Sequence, residues 1–170
     1  MKSIMISIQP QYVEKILNGE KTIEIRKTMP KCELPCKVYI YCTKGKKLYK
    51  CVSNFDEDLL NGKVVAEFTL NKVDTLERDL NDWLPKNRYD ISNELLKNTN
   101  LNQEQLWNYG QGKILYAWHI DDLKVYDKPK ELSEFSTILH RMKGKESRFT
   151  SHLLQRPPHN WCYVEELEDE

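Results

Sequence analysis

The order of hydrophobic and polar positions along the 170 residues predicts a mainly β protein with a helix between its first two strands. Residues 3–8 have the apolar-rich pattern of a strand, and Pro10 suits the first turn of a helix that runs to about Leu17. Asn18 and Gly19 supply the C-terminal cap of that helix. Runs rich in β-branched and aromatic residues predict six further strands, at 22–26, 37–42, 63–70, 114–120, 123–126 and 160–165.

A different pattern occupies residues 71–112. Four apolar residues there fall at helical spacing: Leu76, Leu80, Trp83 and Leu84. Ser92 and Asn102 are residues that cap helices, and each precedes a short apolar pattern. We therefore predict an acidic, mostly helical insertion at about 71–112 within a single domain over residues 1–170.

Short strands with one helix between the first two predict an α+β fold, mainly β, in the form of a small β-barrel with flanking helices. A further short helix is predicted from Ser133 to Leu139. No apolar run approaches the roughly 18 residues that a membrane-spanning helix needs. The N-terminus lacks the apolar region and cleavage site of a signal peptide, so we expect a cytoplasmic protein without a membrane partner.

The segment from Lys21 to Arg26 has the most informative polar pattern in the chain. Thr22, Glu24 and Arg26 alternate with isoleucines at 23 and 25. Because alternate side chains of a strand point to opposite faces, we expect the isoleucines in a core and the three polar residues together on the other face. Such a face is either part of a polar pocket or a surface ion pair between Glu24 and Arg26.

These residue types suit the binding of a polar, planar ligand. Arginine offers a rigid fork of donors for a carboxylate, a phosphate or a base edge. A glutamate accepts a hydrogen bond from an exocyclic amine or takes a proton. A partly desolvated lysine near another cation loses its proton more easily and then acts as a base or nucleophile. Lys21, Glu24 and Arg26 are therefore candidates for binding, and Lys21 and Glu24 for catalysis.

Three residues on other strands are further candidates. Glu67 is a lone acid in an otherwise apolar strand, which places it either on a solvent-exposed face or in a cleft. Trp118 and His119 lie side by side in a strand, where one would stack on a base while the other hydrogen-bonds it. A core tryptophan and a hydrogen-bonded histidine are the alternative reading of that pair.

The net charge of zero conceals an uneven distribution. Residues 1–50 carry 11 Lys and Arg against 4 Asp and Glu, a balance of +7. This basic third is either a phosphate-facing patch or a solvated lysine-rich loop. The five cysteines include Cys32, Cys36, Cys42 and Cys51, but they lack a C-x2-C pair, so we expect reduced thiols, no metal and no cofactor.

The segment Gly19 to Arg26, following a helix, resembles the G-x-K-[ST]-x-[ET]-x-R signature of ASCH-domain proteins, which belong to the PUA-like superfamily of small β-barrels. The strands at 37–42 and 62–70 fall in the order of that family. The closing run from Pro157 to Val164 resembles the end of phage and prophage members.

This resemblance implies a cleft beside the first helix, lined by the motif, and a superfamily role in binding RNA or modified nucleobases. Some bacterial ASCH proteins are amidohydrolases that deacylate cytidine acetylated on its exocyclic amine. Their catalytic set implies roles for Lys21 and Arg26 here and for a distant glutamate, for which Glu67 is the candidate. Their catalytic threonine corresponds to Glu24. This departure favours ligand binding over deacylation.

Three functional hypotheses follow. The first is binding of RNA, single-stranded nucleic acid or a modified nucleoside through Lys21, Thr22, Glu24 and Arg26, with Trp118 and His119 contacting a base. The second is an amidohydrolase in which Lys21, Glu24 and Glu67 carry out the chemistry. The third is an adaptor that binds a protein partner through residues 71–112.

Overall fold

The computed structural model describes residues 2–45, 60–81, 83–143 and 146–167. The elements follow in this order: β1 (Lys2–Ile8), α1 (Pro10–Leu17), β2 (Ile23–Arg26), β3 (Cys36–Cys42), β4 (Val64–Leu70), β5 (Val73–Leu76), α2 (Asn93–Thr99), α3 (Gln103–Gly110), β6 (Leu115–His119), β7 (Asp121–Lys130), a 3-10 turn (Leu132–Glu134), β8 (Ser136–Lys143), β9 (Glu146–Leu153) and β10 (Trp161–Glu165). No helix in the described part of the chain has the length and apolar character needed to span a membrane.

The strands form two sheets. Seven strands pair in the order β7-β4-β3-β1-β10-β8-β9, and three pair in the order β2-β6-β5. Strand β1 lies in the middle of the larger sheet, parallel to β3 and antiparallel to β10. Residues 3–8 of β1 are all buried, as expected for a strand covered on both faces.

Side-chain alternation in β1 divides the core of the larger sheet into two parts. Ile4, Ile6 and Ile8 belong to one buried cluster, together with residues of α1, whereas Met5 belongs to a second cluster on the other face. A third cluster covers the smaller sheet. It combines strand residues with side chains from residues 71–112, which we call the helical segment. The members of the cluster are Ile23, Ile25, Leu76, Tyr89, Leu106, Leu115 and Ala117.

Local sequence explains how the chain enters β2. Pro10 lies in the first turn of α1, and the chain leaves this helix through Gly19 at φ 74°, a conformation that glycine adopts without strain. The amide groups of Glu20 and Lys21 both donate to the carbonyl oxygen of Lys15, at 2.9 and 3.0 Å. This turn fixes the position of Lys21 immediately before the strand.

Most of the predicted elements are present, and the mainly β, α+β character of the chain is confirmed. Both predicted caps in the helical segment are also present: the Ser92 hydroxyl accepts from Leu95 N at 3.2 Å, and Asn102 forms a capping box with Gln105. The predicted closed barrel differs from the structure, in which β7 and β9 are the outer strands of an open sheet.

The helix suggested by the spacing of Leu76, Leu80, Trp83 and Leu84 is wrong. Leu76 lies in β5, opposite Leu115 of β6, so sheet pairing fixes its conformation. Leu80 and Trp83 are 80% and 95% exposed. The apolar stripe of a helix at this position would therefore stay largely exposed to solvent. The helix predicted from Ser133 to Leu139 is replaced by a 3-10 turn followed by β8.

The segment 71–112 is therefore built into the fold, because it supplies β5 and part of the third core cluster. Leu106 of α3 is fully buried there. We expect Leu106→Ala to lower the free energy of unfolding by about 2–5 kcal/mol, through lost burial and the cavity left behind. Urea denaturation followed by circular dichroism measures this loss.

Leu80→Ala is the matched control, because it removes the same atoms from an exposed site. Its expected effect lies within about 0.5 kcal/mol. Equal effects of the two substitutions would contradict the assignment of α3 to the core.

Candidate functional site

Three charged side chains at β2 are buried side by side: Lys21, Glu24 and Arg26, with exposed fractions of 2%, 7% and 8%. The carboxylate lies between the two cations. Glu24 Oε2 is 3.2 Å from Lys21 Nζ, and Glu24 Oε1 is 3.0 Å from Arg26 Nη2. We call these three residues the ion row. Because an unpaired buried charge is strongly unfavourable, each member depends on the others.

The ammonium group of Lys21 has three acceptors around it. Nζ donates to the carbonyl oxygens of Ile23 and Thr99, both at 2.7 Å, and Glu24 is the third. This number matches the three N–H donors of a charged lysine. Burial lowers the pKa of Lys21, while the charge and hydrogen bond of Glu24 oppose that shift. Lys21 therefore holds Glu24 in place while bonded to two backbone carbonyls.

Arg26 connects the ion row to the larger sheet. Its Nη1 donates to Asn160 Oδ1 at 2.6 Å, and its Nη2 donates to the carbonyl oxygen of Ser7 at 2.7 Å. The Nε–H group is buried and has no hydrogen-bond partner among the described residues. A buried donor without a partner is unfavourable. Nη1 carries two N–H groups and has one described acceptor, Asn160.

A cavity of about 410 Å³ opens beside the ion row. Besides the ion row, β1, α1, β2 and the helical segment contribute most of its lining, which includes Ser7, Ile8, Gln9, Tyr12, Ile25, Thr43, Leu101, Gln105, Tyr109 and His159. Two aromatic rings lie close to cations. Lys21 Nζ is 5.6 Å from the centre of the Tyr12 ring, and Lys27 Nζ is 4.6 Å from that of Tyr109.

The helical segment forms part of the cavity wall. Gln105 and Tyr109 are four residues apart in α3, so they share one face of the helix, while Leu106 packs into the core. The Thr99 carbonyl at the end of α2 also accepts from Lys21. Sequence reasoning missed these residues. The four-residue spacing of Gln105 and Tyr109 was the available signal, and nothing local linked it to the distant motif.

Sequence reasoning also missed the contributions from both ends of the chain. The β1 residue Ser7 and the β10-flanking residues His159 and Asn160 meet at the ion row, because β1 pairs with β10. The Ser7 hydroxyl donates to the carbonyl oxygen of Pro158 at 2.7 Å, which holds these two segments together.

Residues 19–26, the motif, contribute side chains both to the core and to the cavity. Ile23 and Ile25 belong to the third core cluster, and Ile25 also reaches the cavity. Thr22 is exposed outside the described cavity lining, and its backbone carbonyl accepts from Ile120 N at 2.9 Å. Thr22 therefore contributes backbone pairing at this position.

The remaining candidates lie outside the described lining of this cavity. Trp118 is opposite Glu24 in the β2–β6 pair but is fully buried in the core, with its ring centroid 6.0 Å from that of Trp161. His119 Nε2 is 2.7 Å from Asp74 Oδ2. Glu67 accepts from the Tyr126 hydroxyl at 2.5 Å on the larger sheet.

The cysteines that the structure describes do not all meet at one site. Cys36 and Cys42 are at opposite ends of the seven-residue strand β3, which separates them by roughly 20 Å at about 3.3 Å per residue. Cys51 lies outside the described residues. Within the described ranges, no group of three or more His, Cys, Asp or Glu side chains is arranged to hold a metal ion.

Comparisons with known proteins give a family and a fold. The family model for the ASCH domain matches residues 6–143. The crystal structure of ASCH from Zymomonas mobilis is 17% identical in sequence, with a TM-score of 0.58 over 96% of this chain and 88% of that chain. At this level of identity the likeness is one of fold. A search of curated proteins found no significant match.

Two variants of the Zymomonas mobilis protein are similar to the same extent. A tyrosine-to-phenylalanine variant is 17% identical, with a TM-score of 0.57 over 98% of this chain and 92% of that chain. A serine-to-alanine variant is also 17% identical, with a TM-score of 0.56 over 96% of this chain and 89% of that chain.

We expect Lys21→Met to lower the free energy of unfolding by about 3–5 kcal/mol, because it leaves a buried carboxylate and two backbone carbonyls without their shared donor. Chemical denaturation of the variant and the native protein measures the difference. Lys72→Met is the control: Lys72 Nζ is 2.8 Å from Asp74 Oδ1, but its side chain is 62% exposed. An exposed pair contributes at most about 1 kcal/mol, so a loss as large as that of Lys21→Met would contradict the role of burial.

Proposed function

Because the chain belongs to the ASCH-domain family, we propose that the cavity beside the ion row binds a nucleobase, presented by single-stranded RNA or by a modified nucleoside. One observation carries this proposal: a buried row of alternating charges lines a cavity that also has aromatic walls.

The size of the cavity suits such a ligand. Small-molecule sites are typically about 300–1,000 Å³ and combine apolar walls with a few polar groups. The cavity here is about 410 Å³, toward the lower end of that range, as expected for a single nucleoside. An exposed base at a bulge or chain end would enter it without the rest of the nucleic acid, which is how proteins commonly read single-stranded RNA.

The charge pattern favours a base edge over a bare phosphate. A base edge presents donors and acceptors side by side, and the ion row offers the complementary set. Each Glu24 oxygen has one basic partner and retains a lone pair for an exocyclic amine, while the second N–H group of Arg26 Nη1 is available to a ring or carbonyl acceptor. A phosphate in the same place would meet the Glu24 carboxylate and be repelled.

The two tyrosines supply flat apolar surfaces. Tyr12 belongs to α1 and Tyr109 to α3, so the cavity has an aromatic side chain from each of two different helices. We propose that they stack on the base, which binds it regardless of sequence while the ion row selects its edge. This role replaces the one expected of Trp118 and His119. Thr22 and Glu67 have no part in it.

Amide hydrolysis is the second candidate, and one observation favours it. Burial lowers the pKa of Lys21 beside a carboxylate that faces the same cavity, which is an arrangement suited to proton transfer. Against it, Lys21 would have to break one of its three hydrogen bonds before it could attack a carbonyl carbon. We therefore assign Lys21 to positioning Glu24, and we rank hydrolysis of an N-acylated cytidine below binding.

A protein-binding role for residues 71–112 is not needed to explain that segment. Its helices close one side of the cavity and support Lys21 through the Thr99 carbonyl. Ligand binding therefore accounts for why the segment is present.

The binding proposal predicts a loss of affinity in Tyr109→Ala. Removal of one stacking surface costs about 1–3 kcal/mol, or roughly 5- to 150-fold in Kd. Thermal shift would first screen cytidine, its N-acetylated form, the other nucleosides and short single-stranded oligonucleotides, because a ligand of the native state raises the apparent stability. Titration calorimetry on the best ligand would then compare the variants.

Trp83→Ala is the aromatic control, because this side chain is 95% exposed and lies outside the cavity. Its affinity should equal that of the native protein. If no ligand in the panel binds, or if Tyr109→Ala binds as tightly as the native chain, the proposal fails.

Glu24→Gln distinguishes binding from hydrolysis. We expect it to weaken ligand binding, since an amide nitrogen replaces one of the two acceptor oxygens. Native protein incubated with N-acetylated cytidine should release no cytidine, as followed by liquid chromatography. Steady release that disappears in Glu24→Gln would instead support the hydrolase.

A further inference from the structure

Two thiols lie side by side outside the lining of the cavity beside the ion row. The Sγ atoms of Cys32 and Cys36 are 3.3 Å apart, in the loop that leads into β3. They line a second cavity, of about 630 Å³, which also involves Lys2, Lys37 and Glu166. None of these residues lines the cavity beside the ion row.

Both ends of the loop are attached to the larger sheet. Just before Cys32, the amide of Lys31 donates to the Tyr163 hydroxyl at 2.7 Å, on β10. Cys36 begins β3 and lies opposite Leu70 of β4. The proximity of the two thiols is thus set by the fold. A disulfide has an S–S distance of about 2.05 Å, so the sulfur atoms need to move by little more than one ångström to bond.

We propose that Cys32 and Cys36 are a redox-active dithiol that closes into a disulfide by exchange with a small-molecule disulfide. This inference is independent of the proposed ligand cavity. The pair has no third metal-binding side chain beside it within the described ranges, so the chemistry available is that of two thiols.

The exchange proceeds in two balanced steps. The Cys32 thiolate attacks one sulfur of the small disulfide, forms a mixed disulfide and releases one thiolate of the reagent. Cys36 then loses its proton to solvent and attacks Cys32 Sγ, which releases the second thiolate. The protein loses two electrons and two protons, and the small disulfide gains them as two thiols. An excess of a reducing thiol reverses both steps.

Burial determines the order of attack. Cys32 is half-buried at the cavity, whereas Cys36 is 7% exposed. Burial raises the pKa of Cys36, and the adjacent Cys32 thiol raises it further. Cys36 is therefore poorly reactive toward reagents in solution but well placed to attack its neighbour. Because a thiolate is required, closure should become faster as the pH rises.

Peptide mapping tests the proposal on the native protein. The protein is incubated with oxidised glutathione, blocked with N-ethylmaleimide and digested with trypsin, which cuts after Lys31 and Lys37 and so releases both cysteines in one peptide. We expect this 32–37 peptide without the blocking group and lighter than its reduced form by two hydrogen atoms. When dithiothreitol is added after the oxidant and removed before N-ethylmaleimide, the 32–37 peptide should carry two blocked thiols.

Single substitutions separate the two roles. Cys36→Ala lacks the second thiol, so Cys32 should retain glutathione as a stable adduct, whereas Cys32→Ala should leave Cys36 unmodified. Cys162, half-buried on β10, is the internal control and should form no intramolecular disulfide. Two results on the native protein would overturn the proposal, whether or not the variants fold. One is a 32–37 peptide that carries two blocked thiols after treatment with the oxidant. The other is a stable glutathione adduct on that peptide.

Discussion

The structure depends on one interaction, the pairing of the buried Glu24 carboxylate with two cations. A charge removed from water must be matched by partners, and Glu24 is matched by Lys21 on one side and Arg26 on the other. Each of these cations in turn depends on further hydrogen-bond acceptors. Lys21 needs the Thr99 carbonyl, 78 residues away in sequence, and Arg26 needs Ser7 and Asn160. One acid thus connects α2, β1 and the approach to β10.

This network explains why the helical segment packs against β2. Ile23 and Ile25 need an apolar cover on one face of β2, and Lys21 needs a carbonyl acceptor nearby. The segment supplies both, through Leu106 in the core and Thr99 at the end of α2. Its remaining face, with Gln105 and Tyr109, is directed to the cavity. Packing, charge compensation and cavity formation are therefore supplied by the same short stretch of chain.

Local patterns predicted seven of the strands, α1, both helix caps and the division of β2 into an apolar and a polar face, because these depend on neighbouring residues. They did not predict β5, β8 and β9. The predictions failed where pairing between residues far apart in the sequence determines the conformation. The spacing of Leu76 and Leu80 indicates a helix, but β6 pairs with the first of these residues. The sequence left Trp118 open as a base-stacking or a core residue, and the β2–β6 pair places it opposite Glu24, where it is fully buried. Tyr109 and Asn160 are brought to the motif only by tertiary contacts.

The replacement of a threonine by Glu24, relative to the deacylases that the motif resembles, has a consequence for chemistry. A hydroxyl between two cations would leave Lys21 with one fewer anionic partner, and burial would then lower the pKa of that lysine with less opposition. The carboxylate has the opposite effect: it favours the charged ammonium and keeps its donors occupied. Glu24 thus makes Lys21 less nucleophilic, which agrees with the base-edge recognition that we propose.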